Sequence, residues 1–142
     1  MAARVFEHNH RVTYSECTVG NHVYYANYLA IIEEARGEFF RSLGSTFLSL
    51  QERDTIFPVI ECSVRYKLPA RYDDLLTIAI RVIELRGARL SFGYTVVDAE
   101  GRVVIEAQTA HVCTSLADKP RRIPPELVEK LGVFVAAPAA GG

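Results

Sequence analysis

Four long runs of alternating β-branched and polar residues fill the second half of the chain and constrain its fold more than any other feature. They are "VIECSVRYKL", "LLTIAIRVIEL", "RLSFGYTVVDA" and "VVIEAQTAHVCTSL", all after Pro58. Alternation of this kind is typical of strands that bury one face. The separators "PARYDD", "RGA" and "DAEGR" are short, and Gly101 suits a tight hairpin turn. We therefore predict four strands that pair in chain order as an antiparallel meander.

A single long helix is predicted ahead of these strands. From about Tyr25 to Leu43 apolar residues recur every three or four positions, which is the period of a helix with one buried face. Gly44 then provides a left-handed stop. The segment "STFLSLQERD" predicts a short second helix capped by Ser45.

The two ends of the chain complete the pattern. Residues 6–14 alternate in the period of a strand, and we expect His8 and His10 to lie along the sheet. The segment "PPELVEKL" predicts a final helix with proline in its first turn. We expect one domain over residues 1–134, followed by a flexible tail at 135–142.

One long helix wrapped by a five-stranded antiparallel sheet is an α+β arrangement that two architectures satisfy. One is the hotdog fold, and the other is a cone-shaped ligand-binding fold. A cone-shaped fold would normally place more than one helix before its sheet, so the pattern favours the hotdog fold.

Composition excludes several classes of protein. Sixteen basic and seventeen acidic residues leave a net charge of −1, which lacks the basic surplus of a nucleic-acid binder. No apolar stretch approaches the roughly 20 residues of a spanning helix, and "MAARVFEHNH" has no signal-peptide core, so we expect a cytoplasmic protein. Cys17, Cys62 and Cys113 show no metal-type spacing, which predicts free thiols and no metal site.

A polar segment, "YSECTVGNHVYYANYLAIIEEAR", runs directly into the predicted helix. Its spacing resembles the signature of hotdog-fold acyl-CoA thioesterases of the 4-hydroxybenzoyl-CoA and Tol-Pal-associated type. The likeness continues through "LPARYDDLL", "LRGARLSF" and "DKPRRIPPELV" and covers nearly the whole chain.

The resemblance implies a role for the start of the helix. In such enzymes an exposed backbone N–H there polarises the thioester carbonyl, and by position this amide belongs to Tyr25. Free amides and the dipole of a helix start suit a developing oxyanion. The resemblance also implies a site between two subunits, hence a dimer that is often paired into a tetramer.

The chain departs from the family at its central position. The catalytic aspartate falls on Thr18, and a nearby glycine falls on Asn21, a residue type that tolerates left-handed backbone. The resemblance also extends to polyketide-releasing thioesterases of enediyne pathways, which lack the acid and use an asparagine there with a helix Tyr and Arg. Those two helix positions match Tyr28 and Arg36, which are otherwise core or interface residues.

Other side chains compete for the role of base or nucleophile. Glu16 is the nearest replacement carboxylate to Thr18, and a helical glutamate, Glu33 or Glu34, is a further candidate. Cys17 with His22 is an alternative nucleophile and base, but the sequence offers no evident third group to orient them.

The resemblance leads us to expect hydrolysis of an acyl-CoA or acyl-carrier-protein thioester by water, with no metal or redox cofactor. The alternatives are a pathway-specific polyketide-releasing thioesterase and a non-catalytic acyl-thioester-binding protein. A hotdog dehydratase is disfavoured because no histidine-containing loop of that kind is visible. Four arginines are candidates for binding coenzyme A phosphates: Arg71, Arg86, Arg89 and Arg121.

Overall fold

The computed structural model describes residues 3–135 of the chain. A one-turn 3₁₀ helix, Tyr14–Glu16, lies between the first two strands. The strands are β1 Phe6–Arg11, β2 Cys17–Thr18, β3 His22–Val23, β4 Val59–Tyr66, β5 Leu75–Arg86, β6 Arg89–Val97 and β7 Val103–Val112. The helices are α1 Asn27–Ser42, α2 Phe47–Glu52 and α3 Pro125–Gly132.

The main sheet has five antiparallel strands in the order β1-β5-β6-β7-β4. The predicted four-strand meander is therefore wrong in one respect, because β4 pairs with β7 and not with β5. The edge of β5 is taken by β1, in a register that places Phe6 opposite Ile80. The segment 67–74 crosses one end of the sheet: Lys67 N–H donates to Val104 at 2.9 Å, and Asp73 N–H donates to Val12 at 3.0 Å.

Helix α1 packs lengthwise on the inner face of this sheet, as the apolar spacing predicted. Phe39 has no exposed surface. Its ring lies 5.1 Å from that of Phe6, 6.0 Å from that of Phe92 and 4.8 Å from that of Phe134, measured between centroids. Burial of aromatic rings against several elements is a dominant stabilising term in a domain of this size. This cluster fixes α1 against β1 and β6.

The helix ends follow from local chemistry. Gly44 has φ of +82°, and Ser45 N–H donates to Phe40 O at 3.1 Å, which confirms the predicted left-handed stop. The predicted Ser45 cap of the second helix is wrong by one residue. Thr46 is the N-cap, since its Oγ1 accepts the Ser49 N–H at 3.0 Å.

Strand β4 differs from the other long strands because both of its faces are largely exposed. Val59, Ile60 and Tyr66 are 48, 53 and 48% exposed. The register pairs Cys62 with Thr109, whose side chain faces the core, so alternate residues of β4 point inward past the flank of α1. The domain is thus left open along its β4 edge.

Val135, the last described residue, forms a parallel bridge with Val82. The rest of the predicted tail, 136–142, lies outside the described residues. Among residues 3–135, no helix has the length and apolarity needed to cross a membrane.

Candidate active site

The segment between β1 and α1 folds into a small hairpin that carries Thr18. Strands β2 and β3 pair Thr18 with His22, and Asn21 N–H closes the turn on Thr18 O at 3.1 Å. Asn21 has φ of +60°, so the departure from glycine keeps the left-handed backbone. The Thr18 side chain is exposed at this hairpin.

The hairpin leads directly to a free amide at the start of α1. Glu16 O accepts both Tyr24 N–H and Asn27 Nδ2–H, each at 2.9 Å, which holds the chain just before the helix. The next amide, that of Tyr25, donates to no acceptor within residues 3–135, and the residue is 62% exposed. Tyr25 lies two residues before Asn27, and a free N–H this close to the positive end of a helix suits an oxygen that carries negative charge.

Tyr28, the second residue of α1, is buried, with 3% of its surface exposed. Its hydroxyl accepts Ala70 N–H at 3.2 Å, and burial raises the pKa of Tyr28 above its ordinary value. The neighbouring Tyr66 hydroxyl donates to Tyr25 O at 3.0 Å. These bonds tie the end of β4 and the segment after it to the start of α1.

Arg36 begins a hydrogen-bond chain through the core. Its Nη1 lies 3.1 Å from Tyr94 Oη, which lies 2.6 Å from Thr109 Oγ1. Thr109 Oγ1 lies 2.8 Å from His111 Nε2, and His111 Nδ1 lies 2.9 Å from Phe57 O. A carbonyl only accepts and a guanidinium only donates, so neutral His111 carries its proton on Nδ1 and each hydroxyl donates toward His111.

Burial determines the charge states of the residues in this hydrogen-bond network. Burial lowers the pKa of His111 to about 4, against the opposing effect of the Phe57 carbonyl and with help from the Arg36 charge. His111 is therefore neutral at pH 7. Burial also raises the pKa of Tyr94, although the Arg36 charge favours its ionised form. Arg36 supplies the positive charge of this network.

A cavity of about 330 Å³ adjoins Arg36 and His111 between α1, α2 and the segment before β4. Glu33 lies at its polar side, with Oε2 3.9 Å from Arg36 Nη2. The remaining wall is mostly apolar and includes Phe40, Phe47, Leu50, Ile56, Phe57 and Phe92. This combination of an apolar wall with a few polar groups is typical of a small-ligand pocket.

The candidate carboxylates differ in how they are engaged. The carboxylate of Glu16 accepts Thr13 N–H at 2.7 Å and lies 2.9 Å from His10 Nε2. Burial raises the pKa of Glu16, but these hydrogen bonds outweigh burial and lower it. Glu34 is engaged with His8 and His10, whereas the side chain of Glu33 is 70% exposed.

The Cys17 thiol lies in the same hairpin and points toward Thr13 O at 3.7 Å. Burial, followed by the negative charges of Glu16 and Asp74, raises its pKa. A thiol with a raised pKa stays protonated at neutral pH and is a poor nucleophile.

The four candidate arginines lie at two ends of the molecule. Arg71 borders the hairpin, where its Nη1 donates to Gly20 O at 3.1 Å. Arg86 and Arg89 flank the β5–β6 turn, and Arg121 Nη1 donates to Asp54 O at 2.6 Å. Strand β5 separates the two groups by roughly 36 Å, at about 3.3 Å per residue. Of these four arginines, only Arg71 lies beside the hairpin of its own chain.

Two buried polar residues of the hydrogen-bond network, Thr109 and His111, were not predicted from the sequence. Thr109 and His111 are two apart on β7 and therefore share a face, which is a signal for a buried polar pair. Their partner Tyr94 comes from β6, and its hydrogen bond to Thr109 depends on the register between β6 and β7, which the sequence does not give. Among residues 3–135, no cluster of His, Cys, Asp or Glu is arranged to hold a metal ion.

A five-stranded antiparallel sheet wrapped around one long helix, with a hairpin leading to a free amide at the helix start, defines a hotdog-fold protein. The thioesterase-like superfamily model matches residues 12–131, and the chain belongs to this superfamily.

Named relatives and a solved structure agree with this assignment. The chain is 36% identical to the acyl-CoA thioester hydrolase YbgC of Escherichia coli over 83% of this chain and 89% of the relative. It is 33% identical to the long-chain acyl-CoA thioesterase FadM of Escherichia coli over 82% and 89%. The crystal structure of a hypothetical protein from Aquifex aeolicus superposes with a TM-score of 0.84 at 30% identity, covering 91% of this chain and 98% of that one.

Proposed function

We propose that the protein hydrolyses acyl-CoA thioesters to a free acid and coenzyme A. The observation that carries this proposal is the free Tyr25 N–H at the start of α1. The names of the relatives YbgC and FadM support coenzyme A as the carrier. We assign the chain to the 4-hydroxybenzoyl-CoA and Tol-Pal-associated type, with Thr18 at the position of the catalytic aspartate.

The chemistry requires an oxyanion donor and a positioned water. The thioester carbonyl accepts the Tyr25 N–H, and the charge that develops on its oxygen is stabilised by this amide and by the dipole of α1. Water adds to the carbonyl carbon, the carbon–sulfur bond breaks, and the proton from water ends on the thiol. The Thr18 hydroxyl orients the water without removing its proton, because an alcohol is a poor base at neutral pH.

The acyl chain is proposed to follow the open flank of α1. Tyr25, Leu29 and Glu33 recur every four residues along this flank, and all three are exposed. The inward side of β4, which includes Cys62, faces the same opening. The cavity beyond Glu33 then accepts the end of an apolar acyl chain. Tyr28 and Arg36 act here as positioning residues for the channel wall.

A second copy of the chain completes the site in this proposal. The exposed β4 edge offers unpaired backbone groups, and an apolar edge strand of this kind normally acquires a partner. In a dimer, Arg86, Arg89 and Arg121 become available to the neighbouring subunit's ligand, while Arg71 serves the site of its own chain. Pairing of such dimers would give the expected tetramer.

The test is a substitution at Thr18, read by thiol release from short, long, branched and aromatic acyl-CoAs. Thr18→Asp should raise kcat by about tenfold or more, since general-base assistance is worth roughly 10² to 10⁴ where the surroundings suit it. An aspartate there is ionised at neutral pH, given a reference pKa of about 3.9. Thr18→Ala should lower kcat only a few-fold, because the amide of Tyr25 remains.

Glu16→Gln is the matched variant that separates the two candidate positions. If Thr18→Asp folds and gains no activity while Glu16→Gln abolishes turnover, Glu16 is the base and the assignment of Thr18 is wrong. If acyl-CoAs bind to the wild-type protein and none is hydrolysed by it or by Thr18→Asp, the protein is a thioester-binding protein and not an enzyme.

A further inference from the structure

Two histidines and two glutamates form a continuous chain of hydrogen bonds behind the hairpin. His8 Nε2 and His10 Nδ1 lie 2.8 and 2.9 Å from the same oxygen, Glu34 Oε2. His10 Nε2 lies 2.9 Å from Glu16 Oε1. We refer to His8, His10, Glu16 and Glu34 as the His10 clamp. It joins β1, the 3₁₀ turn and α1.

The geometry determines the protonation of His10. Both of its ring nitrogens face carboxylate oxygens, and an ionised carboxylate can only accept a hydrogen bond. Each nitrogen must therefore carry a proton, which makes His10 an imidazolium. Burial opposes the charged form, but hydrogen bonds and charges from Glu16 and Glu34 outweigh it and raise the pKa of His10. Burial likewise opposes ionisation of Glu34, but the hydrogen bonds of His8 and His10 lower its pKa.

Glu16 connects the clamp to the segment between the hairpin and α1. The backbone carbonyl of Glu16 holds Tyr24 N–H and Asn27 Nδ2–H, while its side chain holds Thr13 N–H and His10. Glu16 therefore transmits the position of β1 to the start of α1. The amide of Tyr25 follows directly after this contact.

Within residues 3–135, the strand paired with β1 brings no further charge to the clamp. On β5, the residues opposite His10 and His8 are the apolar Leu76 and Ile78, both fully buried. The charged groups that contact the imidazolium are Glu16 from the turn and Glu34 from α1.

We propose that His10 is a positioning residue for thioester hydrolysis, holding the hairpin with Thr18 and the Tyr25 amide in place only while both of its ring nitrogens are protonated. This inference rests on the proposed function, because the reaction it modulates is acyl-CoA hydrolysis. A neutral imidazole donates from one nitrogen, so deprotonation releases either Glu16 or Glu34.

The sign of the pH dependence follows from the pKa shifts. The pKa of His10 is raised, so its contribution is full below the ordinary value of 6.5 and is lost as pH rises through the raised value. The pKa values of Glu16 and Glu34 are lowered, so their contribution is full above the ordinary value of 4.5 and is lost as pH falls through the lowered values. The clamp is complete between these limits.

The experiment compares three variants by kcat/KM for an acyl-CoA from pH 5.5 to 9, together with histidine ¹⁵N NMR. His10→Gln keeps a polar side chain without a charge, whereas His10→Lys keeps a cation up to about pH 10. Glu7→Gln, on the opposite, exposed face of β1, is the control on the same strand. A wild-type loss of about three- to tenfold in kcat/KM is expected as His10 deprotonates, the size of a partly exposed charge-assisted hydrogen bond.

His10→Gln should show that loss already at pH 6 and a flat profile above it. His10→Lys should keep the wild-type rate at pH 6 and retain it at pH 9, and Glu7→Gln should follow the wild type. NMR should find both His10 nitrogens protonated at pH 6.

The inference is overturned if one His10 nitrogen is unprotonated at pH 6, or if His10→Gln keeps the wild-type rate and profile. An inactive wild-type protein would refute the proposed function instead. The clamp would then be judged by NMR and by the urea midpoints of His10→Gln and His10→Lys between pH 6 and 9, where equal midpoints reject it.

Discussion

Removal of one buried hydroxyl, in Tyr94→Phe, tests the hydrogen-bond chain that begins at Arg36. Tyr94 has no exposed surface and Arg36 is 8% exposed, so the surroundings of the bond to Nη1 are largely closed to water. A hydrogen bond to a charged group contributes about 1.5–3 kcal/mol, and the buried guanidinium places this one near the upper end. We expect the free energy of unfolding to fall by about 2–3 kcal/mol, which lowers Tm by about 5–10 °C.

The measurement is urea unfolding followed by circular dichroism at one fixed protein concentration, with the m-value checked for constancy. The control is Tyr66→Phe, which removes a hydroxyl that also donates a hydrogen bond but belongs to a residue that is 48% exposed. Water can replace that contact, so we expect a change within about 0.5 kcal/mol. Equal losses in the two variants would refute the claim that the Arg36 chain is a buried, fully paired network.

Two further outcomes are expected. Because the pKa of His111 is lowered to about 4, the unfolded chain binds the proton at a higher pH than the folded chain does, and the free energy of unfolding should fall by about 3 kcal/mol as pH decreases from 6.5 to 4. Urea midpoints measured across this range should fall less in His111→Gln than in the wild type. If the midpoints of His111→Gln fall as much as those of the wild type, other groups cause the loss. Light scattering should find a dimer or a larger assembly for the wild-type protein. Ile60→Glu places a charge at the open β4 edge and should give a smaller species, whereas Leu48→Glu on α2 should leave the mass unchanged. A wild-type monomer with full activity would contradict the proposed dimer.

The local elements of the fold were predictable from the sequence, but their pairing was only partly so. The period of α1, its stop at Gly44 and the long strands depend on residues that are neighbours in the chain. The position of β4 beside β7 depends on which strand occupies the edge of β5. That choice is made by β1, which lies more than 60 residues earlier in the chain than the strand it covers.

In the candidate site, too, local features were predictable from the sequence and contacts between distant elements were not. The left-handed conformation of Asn21 follows from its residue type and its place in a resembling motif. The free amide of Tyr25 was expected from that motif. The partners of His10 and Arg36 were not predicted, because they come from elements that meet only in the folded chain. The alternation on β1 did place His8 and His10 on one face, but it gave no indication of the glutamates that they contact.

The pairing of β1 with β5 has a consequence for biosynthesis. Until residues 75–86 leave the ribosome, β1 has no strand to join, and α1 has no sheet on which to bury its apolar face. At a synthesis rate of about 5–20 residues per second, this interval lasts on the order of several seconds. The nascent chain exposes Phe39 and its neighbours during that time. Chaperones that hold apolar segments should therefore bind the N-terminal half of the nascent chain and leave it once β5 has emerged.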